Sequence, residues 1–213
     1  MNVARIVPST IGILVIDVQP VFVDLAYPGG GPRLDALMLR LEHLLMLADW
    51  LDLPTIATFE TPTSENGELP DRLDSVFPTA GTKFVKSFFG CVSETAIEAA
   101  VRQANVRQWA VAGAETDVCV LQSTLGLLEA GYEVFLLEDC LFTTEPHPGP
   151  AMRRMYQAGA VSTTLKTMAY ELVQRADQIP WYPEYWASTY RPEKPFPTDF
   201  IAPEDWPAWE PSF

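Results

Sequence analysis

Ile11-Gly12-Ile13-Leu14-Val15-Ile16-Asp17 is an unbroken apolar run of strand length closed by a carboxylate. A strand with one wet face alternates apolar and polar residues. This run does not alternate, so both of its faces must be covered, as in a parallel sheet with helices on each side. Similar runs recur at 55–59, 108–112, 133–137 and 160–163. Between the first two, Leu34, Leu37, Met38, Leu41, Leu44, Leu45 and Ala48 fall at steps of three and four, which puts one apolar face on a helix. Helical patterns also span 93–104, 117–130 and 148–158. Strands alternating with helices require right-handed crossovers, and they predict an α/β fold: a three-layer α/β/α sandwich around a mainly parallel sheet. A shorter extended piece at 82–86 makes the sheet roughly six-stranded, and a helix at 165–176 closes the domain.

Composition bounds the rest. A chain of 213 residues fits one domain with a substantial core. Its 14 basic and 28 acidic residues give a net charge of −14, with no basic cluster to neutralise phosphates or an anionic membrane, so nucleic acid and membrane partners are not expected. No apolar run approaches the roughly 18 residues of a membrane span, and 1–10 lacks the apolar core of a signal peptide. Cys91, Cys119 and Cys140 form no CxxC pair, which suits a reducing cytoplasm. His43 and His147 lie in no spaced Asp/His cluster, so a protein-held metal is not expected. From residue 177 the character changes: 177–213 holds Trp181, Trp186, Trp206 and Trp209, four of the six tryptophans, among many prolines. The domain is therefore drawn as 1–176, followed by an aromatic extension expected to pack on its own or a neighbouring subunit.

In parallel α/β sheets ligands bind at the carboxyl ends of the strands, which makes the residues at strand ends the ones to compare. Asp17 ends the first strand, Lys86 the short third one, and Cys119 follows the run through Val111 at the opening of a helical pattern. Aligned N–H dipoles at a helix start favour a thiolate, and a cysteine beside a cation and a carboxylate can act as a nucleophile. Lys83 competes with Lys86, and spacing does not choose between them. Gly29-Gly30-Gly31 lacks the Lys-Ser/Thr ending of a phosphate loop and reads as a turn. His147, between Pro146 and Pro148, reads as a loop residue.

Three segments carry a resemblance: Ile16-Asp17-Val18-Gln19-Pro20-Val21-Phe22, Val85-Lys86-Ser87-Phe88-Phe89, and Gly113-Ala114-Glu115-Thr116-Asp117-Val118-Cys119-Val120. Together they resemble the signature segments of the isochorismatase-like cysteine hydrolases, and the likeness spans roughly residues 10 to 175. The resemblance implies a Rossmann-like, isochorismatase-type sandwich. It also implies a triad: Asp17 as general base, Lys86 rather than Lys83 as the stabilising cation, and Cys119 as nucleophile. The family's cis peptide would fall between Ala114 and Glu115, aiming the N–H groups of Glu115 and Cys119 at one point as an oxyanion hole.

The implied reaction is cofactor-free hydrolysis of a C–N bond in a small amide, ureido or carbamoyl substrate through a thioester. Thr58-Phe59-Glu60-Thr61-Pro62-Thr63 lacks the histidines that hold metal in the family's nicotinamidases, and it resembles the metal-free members of uncertain substrate. Enol-ether hydrolysis is one alternative. A catalytically silent member that binds a metabolite or a protein is another. Phe22, Glu60, Phe89 and Val118 are candidates for the substrate pocket, each with an ordinary packing or solvated role as the competing reading. The resemblance further implies a homo-oligomer, a dimer or tetramer.

Overall fold

The structure, a computed structural model, describes residues 4–174; the aromatic extension over 177–213 lies outside them. Strands β1 (Ile11–Ile16), β2 (Thr55–Glu60), β3 (Thr82–Lys86), β4 (Gln108–Gly113), β5 (Glu133–Leu141) and β6 (Val161–Thr163) form one sheet in the order β3-β2-β1-β4-β5-β6. Every neighbouring pair is parallel. Helices α1 (Pro20–Ala26), α2 (Pro32–Trp50), α3 (Thr63–Asn66), α4 (Asp71–Asp74), α5 (Thr95–Gln103), α6 (Leu121–Glu129), α7 (Gly149–Gln157) and α8 (Leu165–Val173) supply the connections and the closing element.

The period-two alternation of strand side chains builds the two outer layers. Ile11, Ile13 and Val15 of β1 enter a core shared with α2 and α8, through residues such as Leu41, Leu44, Leu45 and Met168. Leu14 and Ile16 enter the opposite core, with Ile97 and Val101 of α5, Leu127 of α6 and Met155 of α7. All six residues of β1 are buried, and so are all six of β4. Each fully buried Leu or Ile contributes about 1.5–3 kcal/mol relative to exposure, which commits the register of the central strands. The α/β/α sandwich read from the apolar runs is the fold observed.

Several local features exceed what periodicity predicted. Helix α2 starts after Gly29, Gly30 and Gly31, all at positive φ, with Pro32 at its first position and Asp35 in its first turn. Helix α1 is only seven residues long, and α3 and α4 are four each, too short to leave a periodic trace. Strand β5 runs to Leu141 because its pairing with β4 shifts register between Val111 and Gly113. The expected helix over 117–130 is two elements: a π-turn, Thr116–Val120, followed by α6.

Strand order fixes where a ligand can sit. From β1 the chain builds outward through β2 and β3, then returns to the other side of β1 for β4, β5 and β6. The crossovers diverge between β1 and β4, and they leave a crevice at the carboxyl ends of those two strands. Gly113 closes the base of that crevice. Its φ is +112°, and a Cβ on it would lie 1.9 Å from the Ile16 carbonyl oxygen, which accepts instead from the N–H of Ala114 at 2.8 Å.

Candidate active site

Asp17 leaves β1 in the left-handed region, φ +48°, a conformation that an aspartate tolerates better than most residues. Its N–H donates to the Thr58 carbonyl at 2.9 Å, and its carbonyl accepts from Gln19 N–H at 2.8 Å. The turn presents the carboxylate inward, where Thr58 Oγ1 donates to Oδ1 at 2.9 Å and Lys86 Nζ stands 2.6 Å from Oδ2. Neither side chain of this ion pair is exposed. Lys86 ends the edge strand β3, opposite Glu60 of β2, so its side chain must cross β2 to reach the residue that ends β1. Two strand spacings make that span roughly 10 Å between backbones, a distance suited to a long, unbranched lysine. Lys83, on the same strand, is exposed, pairs with Asp74 and lies 4.7 Å over the Phe77 ring.

Cys119 comes to the same point from the π-turn after β4 and is 2% exposed. Lys86 Nζ donates to its Sγ at 3.5 Å, and the thiol donates to Glu60 Oε2 at 3.3 Å. The peptide bond between Ala114 and Glu115 is cis. The Glu115 carbonyl accepts from the N–H groups of Val118 at 3.0 Å and Val120 at 3.1 Å, which wraps the turn around Cys119. Contacts to the end of β5 fix the turn from outside. Thr116 N–H donates to the Phe142 carbonyl at 3.1 Å, Thr143 Oγ1 donates to Asp117 at 2.5 Å, and Thr144 donates to the Glu115 carboxylate through its N–H at 3.1 Å.

Burial governs the electrostatics. It drives the Asp17 carboxyl above the ordinary carboxylate range, and the opposing pull of Lys86 and of hydrogen bonds from Lys86, Cys119 and Thr58 does not cancel it. Burial also works against the Lys86 ammonium, but the adjacent Asp17 charge overrides it and holds the group above the usual lysine range. The Cys119 thiol is pushed well up, by burial first and then by the Asp17 charge, with Lys86 pulling down and hydrogen bonds to Asp17 and Glu60 adding to the rise. This corrects the expectation that a helix start would depress the thiol. Cys119 precedes the first residue of α6, and two carboxylates face it.

The Asp17, Glu60 and Cys119 ligand atoms lie within 4.8 Å of one another, a spacing that a metal ion could bridge. The Lys86 ammonium already occupies that donor set, 2.6 Å from Asp17 and 3.5 Å from the thiol, and would repel a divalent ion.

The pocket candidates divide. Glu60 is brought to the thiol. Val118 is half-buried beside it in sequence and packs on the core under α6, while Phe22 is half-buried against the core under α2. Phe89 is 49% exposed on the loop after β3, and His147 is exposed on the loop before α7. Two contributors went unread in the sequence. Thr58 holds the Asp17 carboxylate, and the fully buried Gln19 clamps the Glu60 main chain, donating to its carbonyl at 3.0 Å and accepting from its N–H at 2.7 Å. Thr58 stands two residues before the end of β2 and Gln19 three residues past β1, next to the strand-end positions that selected Asp17 and Lys86 and therefore just outside that rule.

A family model described as "Isochorismatase domain" matches residues 12–167. Isochorismatase family protein 1B of Dictyostelium discoideum is 27% identical over 178 residues, 82% of this chain and 84% of that protein. The structure of YcaC from Pseudomonas aeruginosa with hexane-2,5-diol and covalent acrylamide superposes with a TM-score of 0.76 at 26% identity, covering 89% of this chain and 98% of that one. The YcaC gene product of Escherichia coli, described as an octameric hydrolase of unknown specificity, superposes with a TM-score of 0.75 at 26% identity and the same coverage.

Proposed function

Because this chain belongs to the isochorismatase family of hydrolases, we propose that it cleaves the C–N bond of a small amide, ureido or carbamoyl compound with Cys119 as nucleophile. The observation that carries the reading is the fully buried Lys86–Asp17 pair touching the thiol. A buried ion pair is a poor stabilising device compared with apolar residues of the same volume. Its place beside a cysteine, at the crevice of the sheet, gives it a chemical role instead.

At rest the thiol keeps its proton, since burial and the carboxylates hold its pKa up. The raised pKa of Asp17 makes it a stronger base than an exposed carboxylate, and Lys86 keeps that base charged. Asp17 takes the thiol proton as Sγ attacks the carbonyl carbon. The N–H groups of Glu115 and Cys119 receive the developing oxyanion. Asp17 returns the proton to the leaving nitrogen, ammonia or an amine departs, and water activated by Asp17 hydrolyses the thioester.

Homo-oligomerisation belongs to the same reading. The outer edge of β3 and the loop after it carry Val85, Phe88 and Phe89, each about half exposed, and the Escherichia coli YcaC product is octameric. Ammonia release from a panel of small primary amides and ureido acids, measured for wild type and Cys119→Ala, tests the chemistry. Turnover confined to the wild type supports it, and equal rates in both proteins sink it.

A further inference from the structure

Within this site one charged group has no task in the reaction just described. Asp17 and Lys86 neutralise each other, and the Glu60 carboxylate remains. Among the described residues no lysine or arginine pairs with it, and its one side-chain hydrogen bond comes from the thiol of Cys119. Its backbone is held from three directions: Gln19 at the N–H and carbonyl, and Asn66 Nδ2 at the carbonyl, 3.1 Å away. Asn66 belongs to α3, so the loop after β2 takes part in fixing the residue. Glu60 is half-buried while Asp17 and Lys86 are fully buried, which places its carboxylate toward the open side of the cluster.

The bond from thiol to Glu60 cannot survive the reaction. When the thiol proton goes to Asp17 and sulfur bonds to carbon, Glu60 loses its donor and faces a developing negative charge. A half-buried carboxylate left in that position is costly unless the substrate replaces the donor. We propose that Glu60 is a specificity residue whose carboxylate accepts an N–H of the substrate, so that the site takes primary amides and ureido compounds over esters and N,N-disubstituted amides of the same acyl group.

The inference rests on the reading of Cys119 as nucleophile. In the step it describes, the C–S bond forms, the proton moves from sulfur to Asp17 and on to the substrate nitrogen, and the C–N bond breaks to release ammonia. Glu60 exchanges the thiol donor for an amide N–H on the same side of the carbon. It gains and loses no proton itself.

The test uses acrylamide, N,N-dimethylacrylamide and methyl acrylate as thiol-directed probes, two of which lack an N–H. Adduct formation at Cys119 is followed by peptide mass mapping, and each rate is divided by that of glutathione with the same reagent. In the wild type, acrylamide should be preferred over both other probes by about ten- to a hundred-fold, the range for a hydrogen bond to a charged group. Glu60→Gln, which keeps a neutral acceptor, should reduce the preference, and Glu60→Leu should erase it. In both variants the normalised methyl acrylate rate should rise, because the thiol loses a carboxylate that holds its proton. Loss of fold would expose the thiol, which is 2% exposed in the native chain, and bring all three normalised rates toward that of glutathione; circular dichroism identifies that outcome, and Glu60→Gln carries the test if the leucine variant does not fold. Equal normalised preferences in wild type and Glu60→Gln overturn the assignment. Absence of any adduct on Cys119 in the wild type overturns the nucleophile reading beneath it, and the inference falls with it.

Discussion

At the scale of single residues, Lys86 carries the most consequence. It is a lysine with 1% exposure, held there by one carboxylate and one thiol. Replacing it by methionine leaves Asp17 buried without its counter-charge, and loss of one partner of a buried pair costs about 3–5 kcal/mol. Asp17→Asn should destabilise for the mirror reason. The double variant Asp17→Asn with Lys86→Met should regain most of the stability in urea unfolding, yet no activity. A double variant no more stable than either single one would contradict the pairing. The pH profile follows from the same residues. Asp17 must be unprotonated to take the thiol proton, so kcat/KM falls as pH drops through its pKa, which lies above 3.8. Lys86 stays charged beyond 10.5, so its deprotonation sets no basic limb below that pH. An acid limb at or below 3.8 would remove Asp17 from the role. Much of this site was legible because strand ends can be read from apolar runs. The choice of Lys86 over Lys83 was not legible from spacing. A lysine three residues away on an edge strand looks the same in periodicity; the resemblance of 85–89 singles out Lys86, whose side chain crosses β2 to Asp17, whereas Lys83 is exposed and pairs with Asp74. The protonation of Cys119 was misjudged because a helix-start argument sees N–H dipoles and does not see Asp17, Glu60 or burial.

At the scale of elements, the carboxyl end of β4 decides whether the site exists. Gly113 presses against the Ile16 carbonyl so closely that a methyl group has no place, and its backbone is in the region that side chains avoid. Gly113→Ala should lower the unfolding free energy by about 3 kcal/mol or more, combining backbone strain with overpacking. Gly131→Ala, at φ +88° but with open space around its Cβ, should cost only about 1 kcal/mol. Similar losses at the two positions, read from urea midpoints, would argue against the close approach of β4 to β1. The long, buried elements were legible from their periods: β1 and β4 as unbroken apolar runs, α2 as a face of leucines. The π-turn over Thr116–Val120 was not, because its shape depends on contacts to Phe142, Thr143 and Thr144 after β5, residues distant in the chain. The extra length of β5 has the same origin, since a register shift against β4 is a pairing property.

At the scale of the whole molecule, the order β3-β2-β1-β4-β5-β6 brings three separate chain regions to one crevice, and β3 remains the outer edge that supplies Lys86. Among the described residues, Val85, Phe88 and Phe89 lie exposed beside that edge, an apolar cluster of the kind that marks an interface between copies. Light scattering should therefore give a mass well above 23.7 kDa for the full chain, and Val85→Glu with Phe88→Glu should lower it. A wild-type mass of one chain would contradict assembly through β3. A chain ended at residue 176 tests whether 177–213 takes part in it. Assembly leaves the chemistry at Cys119 to be tested on its own. It is tested most directly by acid-quenching wild type and Cys119→Ala during incubation with small primary amides and ureido acids, then measuring ammonia and the intact protein mass together. The wild type should release ammonia and gain an acyl-sized mass that maps to Cys119, and the variant should do neither. Ammonia release at the same rate from Cys119→Ala would contradict that chemistry.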